Sequence, residues 1–278
     1  MNNKGYSGYV IEIKDLYREA LKGKITLPAI YNNEYIILVG NFKNTYEIED
    51  IYFLEDNNYI GIYNGGFGAE LSEKSKLKNC YLPSSRKFVY IGDESFKYCS
   101  SLECIDITGN HNLPDSVEFI GRSAFSGNFN GEHLKVNIKE LPSALTTLGN
   151  NCFYCGGDNI EITFIPPNVS QIPQWCFAYC PNVNISNFGS ENLGTGLQLI
   201  STGAFYNSGK LVTSIKLLPS ITTLATGSFG AFTGYAPNLI SFESAKTADQ
   251  IVDLDGNVLG NFANAGVKAT AIVAEMGV

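Results

Sequence analysis

The chain has 278 residues and a formal charge of −8, from 19 basic against 27 acidic side chains. Nucleic-acid binding wants a basic stripe; here the densest basic stretch, Lys74, Lys76 and Lys78, stands beside Glu70 and Glu73, and the only adjacent basic pair is Arg86-Lys87. No run approaches the roughly 18 apolar residues of a membrane-spanning helix, and the segment from Met1 to Tyr6 lacks the apolar stretch of a signal peptide, so neither membrane insertion nor export by the usual route is expected.

In chain order, the segment from Lys14 to Gly23 reads as a short amphipathic helix, with Asp15 near its start and Gly23 as a stop. Leu21 to Pro28 and Ile48 to Phe53 fit strands loosely. A regular pattern then takes over: an Ile or Leu followed five residues later by Phe. The pairs are Ile37–Phe42, Ile62–Phe67, Ile91–Phe96, Ile120–Phe125, Leu148–Phe153, Ile172–Phe177, Ile200–Phe205 and Leu224–Phe229. They recur every 24 to 29 residues, in a chain with only 17 Phe. A period of that size marks a leucine-rich-repeat solenoid.

Each unit divides into parts with a physical reading. The Ile-to-Phe segment is too short for a full helix, which predicts a single helical or 3-10 turn with Phe inward. Ile105 and Ile107 alternate with polar neighbours, as a strand with one buried face requires. A Pro then ends that strand, because it cannot donate to a ladder. One unit cannot bury its own apolar residues, so neighbours must stack and their strands form a parallel sheet. About eight turns at about 4.8 Å each make a rod on the order of 40 Å long. Past Phe229, Leu239 and Phe242 still suit a strand, Asp255-Gly256 a turn, and Ala269 to Val273 a last strand. The expected fold is therefore an α+β repeat solenoid, a right-handed stack with one parallel sheet and short helical turns. Its expected parts are an N-terminal cap with degenerate repeats at 1–58, repeats at 59–243 and a C-terminal cap at 244–278.

These residues resemble the BspA-type leucine-rich repeat. Ala124-Phe125 and Ala204-Phe205 match its Ala-Phe pair, Cys99 and Cys180 its Cys slot, and Leu113-Pro114, Leu141-Pro142 and Leu218-Pro219 its terminal apolar-Pro pair. The resemblance is specific over 60–243. It implies non-enzymatic binding, as in surface adhesins, host-contact proteins and related proteins of large viruses and phages. It brings no catalytic residues with it. Surface members usually carry an export signal, and this chain shows none.

Other motifs carry little chemistry. Cys152-x-x-Cys155 has redox-like spacing, but Cys152 takes the slot of Ala124 and Ala204, and Cys155 lies near the Cys slot. Cys176 and Cys180 repeat this arrangement, and Cys80 takes the strand slot of Ile105, so these thiols are expected as small core fillers. Cys104 falls off the buried phase. His111 and His133, the only histidines, fall in variable inserts. No ligand spacing for zinc is present, and a nucleophilic triad would have to use one of these two. Asp253 to Asn257 lacks the Gly and Glu positions of a calcium loop and suits a tight turn. The sequons at Asn168 and Asn184 are read as idle repeat residues. Neither a catalytic residue, a metal nor a cofactor is expected.

Binding falls instead to outward strand positions. In phase these are Asp106, Asn137, Thr163, Asn184, Lys216 and Glu243, which should line up across the sheet. Residues 1–140 carry 34 of the 46 charged side chains and 12 of the 16 Tyr, leaving the second half charge-poor. Charge-depleted and Tyr-rich surfaces are over-represented at protein contacts. The expected function is recognition or assembly, in a virion component such as a phage tail or capsid-decorating protein. The alternative is a cell-surface adhesin or host-interaction protein, secreted by a non-classical route. Expected partners are proteins or a surface glycan, with self-assembly or other virion proteins included.

Overall fold

The computed structural model describes residues 8–12, 20–54, 58–71, 74–105, 112–192 and 195–209, then shorter pieces at 214–218, 220–221, 223–225, 239–242 and 272–274. The helix expected over Lys14 to Gly23 falls mostly outside them, as do His111, Phe229 and the turn at Asp255-Gly256.

The described strands fall into two parallel stacks, each divided into more than one sheet. The first holds β1 (Tyr9–Glu12), β4 (Glu34–Gly40), β6 (Gly61–Ile62), β8 (Tyr90–Ile91), β9 (Phe119–Ile120) and β10 (Thr147–Leu148), then β11 (Gln171–Ile172), β13 (Leu199–Ile200) and β15 (Thr223–Leu224). A short β3 (Ile30–Tyr31) pairs antiparallel with β4. The second stack holds β2 (Gly23–Leu27), β5 (Ile48–Phe53) and β7 (Asn79–Tyr81), then single bridges at Asn79–Cys104 and Ile138–Ile160, then β12 (Asn187–Phe188), β14 (Ser214–Leu217), β16 (Leu239–Phe242) and β17 (Ile272–Ala274). The expected strands at Leu21–Pro28, Ile48–Phe53, Leu239–Phe242 and the C-terminus are all present. The second stack is the sheet the alternation predicted.

The first stack was not predicted. The Ile of each Ile–Phe pair is not in a helical turn; it ends a two-residue strand, with Ile62, Ile91 and Ile120 in register and fully buried. The register also corrects the first pair. Val39, not Ile37, lies opposite Ile62. Ile37 is only half-buried, and the first coil is two residues short between its strand and Phe42.

After each Ile the chain turns a corner without making a helix. Glu94, Ser123, Asn151 and Trp175, each two residues before a Phe, have φ between 53° and 60°. Tyr98, Cys155, Tyr179 and Asn207, two residues after, are left-handed as well. A left-handed residue costs an L-amino acid roughly 1–2 kcal/mol, so something must offset it. The corner N–H groups bond to the next coil instead of their own: Phe67 to the Ser95 carbonyl (2.6 Å), Phe96 to Ala124 (2.7 Å), Phe125 to Cys152 (2.8 Å), Phe153 to Cys176 (2.9 Å) and Phe177 to Ala204 (2.8 Å). The corner is thus a third ladder between coils.

The Phe rings follow this ladder. Phe42, Phe67, Phe96, Phe125, Phe153, Phe177 and Phe205 form one column with neighbouring centroids 5.2 to 5.8 Å apart. From Phe96 to Phe205 the planes are within 20° of parallel. The spacing is close to the strand repeat of about 4.8 Å, so one ring per coil fills the corner. Cys99 and Cys180 fit beside the column, their thiols donating to the carbonyls of Phe67 (3.3 Å) and Phe153 (3.0 Å) one coil back.

The residue after the Ile approaches the previous coil closely. A Cβ on Gly121 would lie 2.5 Å from the Asp93 nitrogen, and one on Gly149 2.3 Å from the Arg122 nitrogen. These glycines also bond across, with Gly92 N–H to Ile62, Gly121 to Ile91 and Gly149 to Ile120, each 2.8 Å. In the next coil the slot holds Pro173, which has no N–H. The first stack divides there, with β10 ending one sheet and β11 starting the next.

Candidate recognition surface

The outward strand positions do not make a single row. Ile138 stands level with Ile160, which puts Asn137 beside Asn159. The Asn184 N–H donates to the Ile162 carbonyl at 2.8 Å, which brings Thr163 beside Asn184. Lys216 pairs with Asn187 and Ser241, three residues from the expected alignment with Asn184. The cause is unequal length between corner and strand. The stretch from Phe125 to Ile138 holds an insert around Phe129 to His133 that the stretch from Phe153 to Ile160 lacks. Register follows the buried Ile slots, so outward residues slip. Asn137 is half-buried and its Nδ2 donates to Glu161 Oε1 at 2.8 Å. Thr163 and Asn184 are exposed, while Asp106 and Glu243 lie outside the described residues. Beside Thr163, Phe164 is 65% exposed, an apolar ring that the expected set omitted.

A second feature lies where the corner meets the strand. Phe129, His133, Cys155, Gly157, Asp158, Tyr179, Pro181 and Asn207 line a cavity of about 430 Å³. The insert after the Phe125 corner supplies Phe129 and His133, and the next three corners supply the rest. Phe129, 62% exposed, meets Tyr179 edge-on, with centroids 5.0 Å apart and planes at 87°. Tyr179 continues to Tyr154 (5.7 Å) and Tyr206 (5.2 Å), and Tyr206 to Trp175 (5.1 Å). Burial, then the neighbouring Tyr206 hydroxyl, raises the Tyr179 phenol, which keeps its proton at neutral pH. His133 Nδ1 lies 2.8 Å from the Cys155 carbonyl. A carbonyl only accepts, so Nδ1 carries the hydrogen of this contact. No sequence pattern announced this cavity. Its faint trace is that Tyr98 and Tyr179 share the slot two residues after Phe, and Tyr154 and Tyr206 the slot directly after Phe.

The thiols are out of reach. None of the seven cysteines forms a disulfide, and all but Cys104 are buried. Burial raises the Cys80 and Cys180 thiols well above their usual range and pushes Cys99 up to about 12 and Cys155 to about 11. Among the described residues no group of three His, Cys, Asp or Glu is placed to hold a metal, and no helix is long and apolar enough to cross a membrane.

The repeating coils fall within a match to a family profile described as the BspA type Leucine rich repeat region, over residues 23–113 and 108–235. The chain belongs to the BspA-type leucine-rich repeat family. The profile finds 6 copies, fewer than the eight turns the spacing suggested. This BspA-type chain is also similar to a crystal structure of a leucine-rich repeat protein from Bacteroides ovatus ATCC 8483, with a TM-score of 0.53 and 17% identity. The match covers 91% of this chain and 63% of that one, so the BspA-type chain spans less than two thirds of its neighbour. That likeness shows the shared fold. No curated protein matches the chain. BspA-type repeats are typically non-enzymatic, and leucine-rich repeats generally mediate protein–protein interaction.

Proposed function

We propose that the chain is a non-enzymatic recognition and assembly protein of a virion, a phage tail or capsid-decorating component whose repeat face meets a host surface or neighbouring subunits. The observation that carries the reading is Phe164. It is 65% exposed beside the exposed Thr163, with Asn184 alongside and few charges nearby in sequence. An aromatic ring within an uncharged polar surround has the composition of a binding anchor. The inert thiols and the carbonyl-bound His133 leave recognition, rather than bond-making, to the surface. The test is the mass of the protein from its natural source by light scattering on a sizing column, with a Phe164→Ala variant beside it. A particle far larger than the 30.3 kDa chain, weakened or lost in the variant, is expected. A monomer in both would overturn the virion reading and favour the cell-surface adhesin.

A further inference from the structure

From the cavity between the corner and the strand we infer a pyranose-binding subsite, formed by Phe129, His133, Asp158, Tyr179 and Asn207, that takes one neutral sugar ring of a glycan. This deepens the recognition reading and rests on it.

The size is right. A volume of about 430 Å³ falls within the range of about 300–1,000 Å³ usual for small-molecule sites. So is the lining chemistry. A pyranose has apolar C–H faces and an equator of hydroxyls that both donate and accept. It needs an aromatic platform and several polar groups at the rim, and it needs no strong charge. Tyr179 and Phe129, at right angles, supply a ring face and a ring edge. With Nδ1 donating to the Cys155 carbonyl, His133 Nε2 accepts a hydrogen bond whenever the ring is neutral. The polar residues Asp158 and Asn207 also line the cavity, and Tyr179 keeps its phenolic proton. Among the described residues the lining contains no Lys or Arg, which favours a neutral ligand over phosphate or sulfate.

The site is also preformed. Gly157 has φ +75°, and a Cβ there would lie 2.6 Å from the His133 Cβ. The glycine therefore lets the imidazole lie against the corner and stay there. Preorganisation of this kind removes part of the ordering cost of binding.

The chain carries its own reporter. Trp175, the single Trp, contacts Tyr206, which contacts Tyr179. The probes are the methyl glycosides of glucose, galactose, mannose, N-acetylglucosamine and N-acetylgalactosamine, added at millimolar concentration to the full chain. Binding is read by saturation-transfer NMR and by Trp fluorescence. At least one glycoside is expected to receive saturation and to shift the emission. Asp158→Ala and His133→Ala should each weaken that binding roughly tenfold, while Glu34→Gln, at an exposed position far along the chain, leaves it unchanged. Silence from every glycoside would overturn the inference, as would binding that survives both pocket substitutions. If the glycosides are silent but Phe164→Ala still dissolves the natural particle, the recognition reading stands and the sugar subsite falls.

Discussion

Replacing Phe153 by Ala tests the central packing claim. Phe153 is fully buried, and its ring lies between Phe125 and Phe177, each 5.5 Å away and within 7° of parallel. Core Phe-to-Ala truncations cost about 3–5 kcal/mol. Each aromatic pair contributes about 0.5–1.5 kcal/mol beyond burial, and this substitution removes two of them. The neighbours cannot close over the gap, because each ring is tied to its own coil through the corner ladder. The loss should therefore lie near the top of that range, about 4–5 kcal/mol. Urea unfolding followed by circular dichroism reads it as a drop in midpoint at unchanged slope. Phe153→Leu keeps most of the volume but loses both ring pairs, and should cost about 1–3 kcal/mol. A loss below about 1 kcal/mol for the Ala variant, or equal losses for Ala and Leu, would refute the column as a source of stability.

The corner glycine gives a second case: Gly149→Ala drives a methyl to within 2.3 Å of the Arg122 nitrogen and should cost about 1–3 kcal/mol in the same assay, whereas stabilisation would mean the coils are less closely seated. Thiol labelling of the native chain should modify Cys104 first, because the other six are buried and at least four of them are held protonated; two or more fast thiols would contradict the buried slots. Acid stability tests Glu94. Burial works against its ionisation, but hydrogen bonds from Lys97 and Lys43 outweigh that and hold its carboxyl below the usual range. A depressed carboxylate stabilises the fold above its unfolded pKa, and the contribution fades as pH falls through the folded value. Glu94→Gln should therefore flatten the acid limb of the stability profile, and an unchanged limb would rule the contribution out.

Much of the stack was legible because Phe and Ile recur in slots that must face inward in every coil. The rest failed for identifiable reasons. Two-residue strands such as Tyr90–Ile91 are too short to show alternation, so the first sheet left no period-2 trace. The left-handed corners left only a hint. Gly65 and Gly203 occupy the slot two residues before Phe, but Glu94, Ser123, Asn151 and Trp175 fill it elsewhere, and none of these announces a positive φ as Gly would. Spacing alone paired Ile37 with Phe42, although Val39 holds the register, because a shortened coil can mimic the period by chance. The outward residues slipped for the same reason: counting along the chain assumes equal units, and the insert at Phe129 to His133 breaks that assumption. The cavity was beyond reach, since its walls come from four corners distant in sequence.

Pro173 has a mechanical meaning. In a column of coils, order passes from each to the next, and unwinding begins at whichever boundary is least stitched. Between Leu148 and Ile172 the strand pairing of the first stack is interrupted, while the Phe153–Phe177 stack and the bond from Phe153 N–H to the Cys176 carbonyl still hold. Under tension applied at the two ends, the coils beyond Pro173 should peel away as a block, and the aromatic column acts as the thread that must snap before the seam opens.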